Sequence, residues 1–97
     1  MADVIWTWDP HKADINRSKH GLSFETAVLI FRDPCLISDL DPHENEVRWR
    51  SLGMVMGVML LVVHTEPVET LGSSAPVGRI ISARKATRVE RRAYHNE

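Results

Sequence analysis

The sequence predicts an α+β fold, in which two N-terminal helices and one C-terminal helix pack on a mainly antiparallel sheet in the order β-α-α-β-β-β-β-α. Three observations predict this fold. Apolar side chains recur at helical spacing between residues 24 and 31, whereas from residue 35 onward the pattern changes to the alternation of strands. Residues 87–90, TRVE, then have the sequence of a helix-capping box. The 97 residues are expected to form a single domain, 1–97, with one core.

The first third of the chain is predicted to form one strand and two helices. Residues 4–8, VIWTW, alternate and are rich in β-branched and aromatic side chains, which is typical of a short strand. The DP pair at 9–10 then supplies an N-cap and a first-turn proline, and Gly21 is a typical left-handed C-cap. Ser23 caps a second helix, which the DP pair at 33–34 ends.

The rest of the chain is predicted to form four strands and a final helix. The predicted strands are residues 35–40, 47–52, 58–65 and 79–84. Residues 58–65, VMLLVVHT, are apolar almost throughout, as expected of a central strand. A turn at 53–57 and a loop at 66–78 separate the last three strands, and Thr87 is the expected N-cap of the last helix, with Glu90 at its third position.

The strand register decides which side chains share a face. If the hairpin turns at Val55, and if Glu66 lies opposite Gly78, the even-numbered residues of the last three strands share one face. That face is Arg48, Arg50, Leu60, Val62, His64, Ile80, Ser82 and Arg84; the odd-numbered face, expected beneath the helices, is Val47, Trp49, Met59, Leu61, Val63, Ile81 and Ala83. None of these three strands places an acidic residue on the even face, which predicts a cationic site, and its outer strands, about 10 Å apart, leave room for a phosphate or one nucleotide.

Positive charge is concentrated at the C-terminus. Residues 79–97 contain half of the chain's 12 basic side chains but only two of its 13 acidic ones. Such a segment on a nearly neutral protein is typical of a surface that binds phosphates or an acidic partner chain, although a solvated helix face explains the charge equally well.

The composition excludes several classes of protein. A hydrophobic content of 43% and a charged content of 26% are ordinary for a soluble globular protein. The single cysteine, Cys35, cannot form an internal disulfide, which favours a reducing compartment. The N-terminus has no signal-peptide pattern, and the most apolar run, residues 52–63, is too short for a membrane span of about 20 residues. A soluble cytoplasmic protein is therefore expected.

Sequence motifs for metal or cofactor chemistry are lacking. There is no HExxH motif, cysteine pair, P-loop, GxGxxG or GxSxG sequence. His43, Glu44 and Glu46 lie in an acidic loop that is more typical of a solvated surface than of a metal site. We therefore expect no metal and no cofactor.

Phosphate chemistry remains, and RNA cleavage through the 2′-hydroxyl fits the residues of the even face. That reaction needs a base near the 2′-hydroxyl and cations over the pentacoordinate phosphorus, which arginines can supply without a metal. His64 and Glu66 are the two candidate bases, and the choice between them is open. Ser82 can donate a hydrogen bond to a phosphate oxygen.

Several stretches resemble the BrnT family of bacterial type II toxins. They are WDPHKADINRSKHGLSFETA (8–27), VRW…G (47–53), LLVVHTE (60–66) and above all RIISARKATRVERRAY (79–94). The resemblance implies a RelE-like ribonuclease fold, inhibition of translation by RNA cleavage, and neutralisation by a BrnA-type antitoxin. In such pairs the antitoxin usually binds operator DNA through its own domain, so contact of this chain with DNA is expected only indirectly.

The resemblance also bears on the site residues. It supports Arg48, His64, Ser82 and Arg84 as site positions, and together with Glu66 these are the candidate catalytic residues. The remaining basic residues of the site region are expected to bind RNA: Arg50, Arg79, Lys85, Arg88, Arg91 and Arg92. The chain departs from the family at Pro67, because relatives often have an arginine directly after HTE.

Three functions stay open. The first is an endoribonuclease toxin, the second is a catalytically weak relative that acts mainly as an antitoxin-binding co-repressor, and the third is a non-catalytic RNA-binding module. Growth arrest with RNA cleavage distinguishes the first from the second. A small neighbouring gene for a ribbon-helix-helix protein would exclude the third.

Overall fold

The computed structural model describes residues 3–43 and 45–96, and in them the chain forms one five-stranded sheet with helices against both faces. The strands are β1 (Ile5–Thr7), β2 (Ile37–Asp41), β3 (Arg48–Val55), β4 (Val58–Thr65) and β5 (Val77–Lys85). The helices are α1 (Pro10–His20), α2 (Phe24–Ala27), a 3₁₀ helix (Val28–Arg32) that continues α2, and α3 (Arg88–His95). The predicted α+β class and order of elements are confirmed.

The strands follow the order β1-β5-β4-β3-β2 across the sheet, so β4 is central, as its apolar sequence predicts. All neighbouring strands are antiparallel except β1 and β5, which are parallel. The β1–β5 pair brings Trp6 onto Gly78, where an added β-carbon would overlap the indole ring. β2 forms the edge of the sheet on the other side.

The N-terminal helices begin and end at the predicted residues. Asp9 accepts two hydrogen bonds from the first turn of α1, Gly21 ends α1 with a φ of 69°, and Ser23 caps α2. The Asn16 side chain attaches α1 to the sheet, because it donates to the Ala83 carbonyl at 2.9 Å and accepts from the Ala83 N–H at 3.1 Å. None of the helices in the described part of the chain is long and apolar enough to span a membrane.

The register between β3 and β4 differs from the prediction. The hairpin turns at Met56–Gly57, with φ values of 47° and 81°, and not over the longer segment 53–57. Arg50 therefore pairs with Val63. Even-numbered residues of β3 lie opposite odd-numbered residues of β4, which changes the composition of both faces.

The register between β4 and β5 is also shifted. Val63 pairs with Ser82 and Leu61 with Arg84, and a bulge follows between Val63 and His64. The prediction that His64 lies on the face of the arginines is therefore wrong, because His64 lies on the other face of the central strand. Leu60, Val62 and Ile80 were also predicted to lie with the arginines, and they too lie on the opposite face, with His64.

Two apolar clusters lie on opposite faces of the sheet. The N-terminal helices cover the larger cluster, which includes Phe24, Ile30, Leu60, Val62 and Ile80. Helix α3 covers the smaller one, formed by Leu52, Met59, Leu61 and Ala86 with Met54 and Tyr94 against them. Met59 and Leu61 lie beneath a helix, as expected, but that helix is α3, and they lie on the face opposite Trp49 and Ala83, with which the prediction grouped them.

Candidate active site

The sheet face that α3 partly covers carries most of the predicted site. Arg48 and Arg50 of β3 and Ser82 and Arg84 of β5 lie on this face, which we call the arginine face. Arg50 and Ser82 both pair with Val63, so they stand on either side of it, about 10 Å apart at two inter-strand spacings. These four predicted residues are therefore brought together by the fold.

Glu46, in the loop before β3, organises one end of the arginine face. Its carboxylate accepts a hydrogen bond from Arg48 Nε at 2.9 Å and two from Arg79 Nη2 at 2.9 and 3.0 Å. These hydrogen bonds, that of Arg48 first, hold the pKa of Glu46 below its usual value. Thr65 pairs with Arg48, and its hydroxyl accepts a hydrogen bond from the Arg79 backbone N–H at 2.9 Å. Arg48 and Arg79 are thus joined at one end of the sheet.

Arg50 and Arg84 are held by carboxylates in a similar way. Arg50 donates from Nε and Nη2 to the two oxygens of Asp39 in β2, at 3.2 and 2.9 Å. Arg84 donates from Nη1 and Nη2 to the two oxygens of Glu90, at 2.8 and 2.9 Å. Bidentate pairs of this kind fix the orientation of a guanidinium as well as its position. Strands β3, β4 and β5 carry no acidic residue on this face, as the sequence predicts, and the carboxylates come from β2, the loop before β3 and α3.

Glu90 also joins Arg84 to the start of α3. Its Oε1 accepts the Thr87 backbone N–H at 2.8 Å, and Thr87 Oγ1 accepts the Glu90 N–H at 3.2 Å. The predicted capping box is therefore confirmed. Mainly through its hydrogen bond with Arg84, the pKa of Glu90 is lowered to about 2. One carboxylate thus holds both the helix start and a candidate catalytic arginine.

His64 lies inside the core on the opposite face and is only 5% exposed. Its Nδ1 is 2.9 Å from the Thr65 carbonyl oxygen, and its Nε2 is 2.7 Å from Ser51 Oγ. A carbonyl oxygen only accepts, so we assign the proton to Nδ1, and Nε2 accepts from the Ser51 hydroxyl. The rings of Trp6 and Phe31 pack edge-on against the imidazole, and burial lowers the pKa of His64. A neutral histidine enclosed in this way cannot reach RNA on the arginine face.

Glu66 and the remaining basic residues lie around the arginine face. Glu66 is exposed and directly follows β4, at the end of the sheet where Arg48 and Arg79 lie. Besides Arg79, the exposed lysine and arginine side chains of residues 79–97 are Lys85, Arg88, Arg91 and Arg92. Within the described ranges none of these four forms a salt bridge, whereas the arginines of the sheet do. The unpaired positive charge of the described segment is therefore on α3 and just before it.

A second contact, between Tyr94 and Asp33, attaches the other end of α3 to the sheet. The Tyr94 hydroxyl donates to Asp33 Oδ2 at 2.6 Å, and the same oxygen accepts the Met54 backbone N–H at 2.8 Å. The hydrogen bond to Asp33 is the main cause that raises the pKa of Tyr94 to about 12. Helix α3 is thus fixed at both ends, through Glu90 and through Tyr94.

Sequence reasoning missed the carboxylates that hold the arginines. One pattern could have found two of them: Asp39 lies in the predicted strand 35–40 and Asp41 directly after it, and β2 extends to Asp41, so both lie on one face. In the sheet they pair with Arg50 and Arg48, respectively. Glu46 had no such pattern, because it lies in a loop.

The acidic loop that was considered as a metal site contacts protein groups. Glu46 binds two arginines, and His43 Nδ1 accepts the Asn45 N–H at 3.3 Å. Glu44 lies outside the described residues. Across residues 3–43 and 45–96, no three His, Cys, Asp or Glu side chains are arranged to hold a metal ion.

The fold and the site define a class of protein: an α+β domain whose arginines and serine, on one partly exposed sheet face, can bind phosphate groups. A family model described as "Ribonuclease toxin, BrnT, of type II toxin-antitoxin system" matches residues 8–90. The chain therefore belongs to the BrnT family of ribonuclease toxins, and the resemblance inferred from its sequence is confirmed. No curated protein matches the chain. Membership of this family supports a toxin function, with RNA as the substrate and an antitoxin as the partner.

Proposed function

We propose that this chain is a metal-independent endoribonuclease that stops translation by cleaving RNA in the cytoplasm, and that a BrnA-type antitoxin neutralises it. The observation that carries the proposal is the arginine face in a chain of this family. The side chains of Arg48, Arg50 and Arg84 are 22%, 40% and 37% exposed, so a phosphate can approach all three. Ser82 lies among them, across Val63 from Arg50.

The proposed reaction is a transesterification within the RNA strand. Glu66 accepts the 2′-hydroxyl proton, the 2′-oxygen bonds to phosphorus, and the bond from phosphorus to the 5′-oxygen breaks. That oxygen takes a proton from solvent, which leaves a 2′,3′-cyclic phosphate and a 5′-hydroxyl. Arg48 and Arg84 stabilise the charge on the phosphorane, and Ser82 donates to a non-bridging oxygen. Glu66 is the proposed base because His64 is enclosed on the other face.

The carboxylate partners leave the arginines able to bind phosphate. A guanidinium has five N–H donors. Arg50 gives two of them to Asp39, and Arg84 gives two to Glu90 and one to the Lys85 carbonyl. Both arginines therefore keep donors for an RNA phosphate while their orientation stays fixed. The phosphates on either side of the cut are assigned to Arg79, Lys85, Arg88, Arg91 and Arg92.

A second candidate function is that of a catalytically weak toxin that acts mainly with its antitoxin as a co-repressor. Two observations favour it. Pro67 directly follows HTE, at a position where the resemblance to the BrnT family implies an arginine. The arginines of the face are also paired with carboxylates of the same chain, which compete with RNA for them.

Induced expression without the antitoxin, with RNA integrity followed in EDTA-treated extracts, tests both functions. Growth arrest and RNA fragments with 2′,3′-cyclic phosphate ends support the ribonuclease, provided that Ser82→Ala and Arg84→Lys abolish both effects. Arg17→Lys is the matched control, because Arg17 is exposed on α1 and its ion pair is with Asp14. Intact growth and RNA, together with tight antitoxin binding, would exclude the ribonuclease and favour the second function.

A further inference from the structure

A groove of about 240 Å³ lies between the edge strand β2 and helix α3, beside the arginine face. Leu52 and Leu61 form its floor, Ile37 of β2 forms one wall, and Val89 and Ala93 of α3 form the other. The floor is buried, whereas Ile37 is 39% and Val89 is 74% exposed. The groove is therefore an open apolar surface that continues the small cluster beneath α3.

Two basic residues of α3, Arg88 and Arg92, lie close to Val89 on the helix, outside the lining of the groove itself. Residues three and four apart lie on one side of a helix, so Val89 has Ala93 as one neighbour and Arg92 as the other. Arg88 lies one turn before Arg92 and next to Val89 in the chain. In the described part of the chain, neither Arg88 nor Arg92 has a carboxylate partner. An apolar groove with two such basic residues beside it is complementary to an amphipathic segment with acidic side chains.

The groove also ends at two ion pairs of the arginine face. Asp39 and Arg50, which are bonded to each other, line it on the side of the sheet. Glu90, which holds Arg84, lines it on the side of the helix. A segment bound in the groove therefore lies against Arg50 and next to Arg84, where it excludes an RNA strand from the face.

We propose that this groove is the docking site for an acidic, amphipathic segment of the protein antitoxin. An apolar side chain of that segment enters between Ile37 and Val89, and its acidic side chains lie against Arg88 and Arg92. The inference rests on the proposed function in one respect, namely that a protein antitoxin is the partner. Docking at this place inhibits by covering the arginine face, without any change in the fold of the toxin.

A protein segment fits this groove better than a nucleobase does. Sites for unpaired bases commonly stack them on aromatic rings, and none of the described residues that line the groove is aromatic. The two carboxylates that line the groove, those of Asp39 and Glu90, are already bonded to Arg50 and Arg84. An apolar side chain gains contact with Leu52 and Leu61, and a protein segment can supply one without aromatic stacking.

Calorimetric titration of the purified chain with the purified protein encoded by the small gene next to its own tests the docking site. Val89→Asp is expected to raise the Kd at least tenfold, because it removes an apolar contact and places a charge beside the acidic segment. Leu71→Asp is the matched control, since Leu71 is fully exposed outside the groove, and its Kd is expected within about twofold of the wild type. Thermal unfolding of each free variant checks that the exposed substitutions leave the fold intact.

The double variant Arg88→Glu/Arg92→Glu separates the charge from the apolar contact. It is expected to weaken binding of the same protein and to reduce the dependence of the Kd on salt, relative to Val89→Asp. A Kd for Val89→Asp within about twofold of the wild type overturns the proposal. Weaker RNA binding by Val89→Asp with an unchanged antitoxin Kd also overturns it and assigns the groove to RNA. A wild-type chain that cleaves no RNA contradicts the proposed function only, because the Kd comparison needs no cleavage.

Discussion

The carboxylate of Glu90 makes two separable contacts, one with the Arg84 guanidinium and one with the Thr87 backbone N–H at the start of α3. Glu90→Gln separates them. Glutamine also serves at the third position of a capping box, so the contact with Thr87 is kept. The charge that pairs with Arg84 is lost. The variant therefore measures what the ion pair contributes to the arginine face.

The magnitude follows from the pKa of Glu90, which is lowered from 4.5 to about 2. At 1.36 kcal/mol per unit, this shift corresponds to about 3 kcal/mol of stabilisation of the folded state. The pair is partly exposed to solvent, with Arg84 37% and Glu90 24% exposed, and the contact with Thr87 survives. Screening reduces the expected loss in the free energy of unfolding to about 1–2 kcal/mol at about pH 7.

The pH dependence gives the same prediction a second test. The folded-state pKa of Glu90 lies below the unfolded value, so its stabilisation is complete above pH 4.5 and is lost as the pH falls toward 2. In urea unfolding, the difference in the free energy of unfolding between wild type and Glu90→Gln should therefore become smaller as the pH is lowered from about 7 to about 3. Thr87→Ala is the control, since it removes a cap worth about 1 kcal/mol and keeps the ion pair. A gap below about 0.3 kcal/mol at about pH 7, or one that does not change with pH, would refute the reasoning.

Three further predictions concern the core and the attachment of α3. The free energy of unfolding should fall as the pH drops below 6.5, because His64 binds a proton in the unfolded chain more readily than in the folded core, where burial disfavours its charge. In urea unfolding, His64→Gln should make the free energy of unfolding depend less on pH in this range. Tyr94→Phe should lower the Tm, because Asp33 loses a hydrogen bond, and ultraviolet titration of the single tyrosine should give a pKa of about 12; a pKa near 10 would contradict the contact. Gly53→Ala should cost about 1–3 kcal/mol by denaturant unfolding, since its β-carbon would lie 2.8 Å from Ile30 Cβ, and unchanged stability would contradict this packing.

The arginine face could be predicted from the sequence because two register errors cancelled. Both predicted hairpins joined residues whose numbers sum to an even value. In the sheet the β3–β4 sums are odd, and so are the β4–β5 sums from Leu60 to Val63, whereas beyond the bulge His64 pairs with Ile80, an even sum. A one-residue shift in register exchanges the two faces of a strand. Ser82 and Arg84 of β5 are affected by both shifts, which cancel, so they stay on the face of Arg48 and Arg50. The central strand is affected by the first shift alone, and His64 therefore lies on the opposite face.

The sequence could not settle the register of the central strand. β4 is apolar on both faces, so alternation does not indicate which of its residues face α3. The turn also carries Met56 with a φ of 47°, an uncommon conformation for a residue other than glycine. The sequence of residues 53–57 therefore does not indicate a two-residue turn at Met56–Gly57. Helix starts were predicted correctly, because the side chains of Asp9 and Thr87 accept hydrogen bonds from backbone N–H groups only two or three residues further along the chain.

The charge of the C-terminal segment has two different physical roles. Arg84 is paired with Glu90, and Arg79 shares the carboxylate of Glu46 with Arg48, so the orientation of both guanidinium groups is fixed and part of their charge is offset. In the described chain Arg88 and Arg92 have no such partner, and their full charge attracts an anion from solution. Salt should therefore weaken contacts made on α3 more than the internal pairs of the arginine face. If RNA and antitoxin both use α3, both will bind less tightly at high salt, and the apolar groove at Val89 is then the contact that distinguishes them.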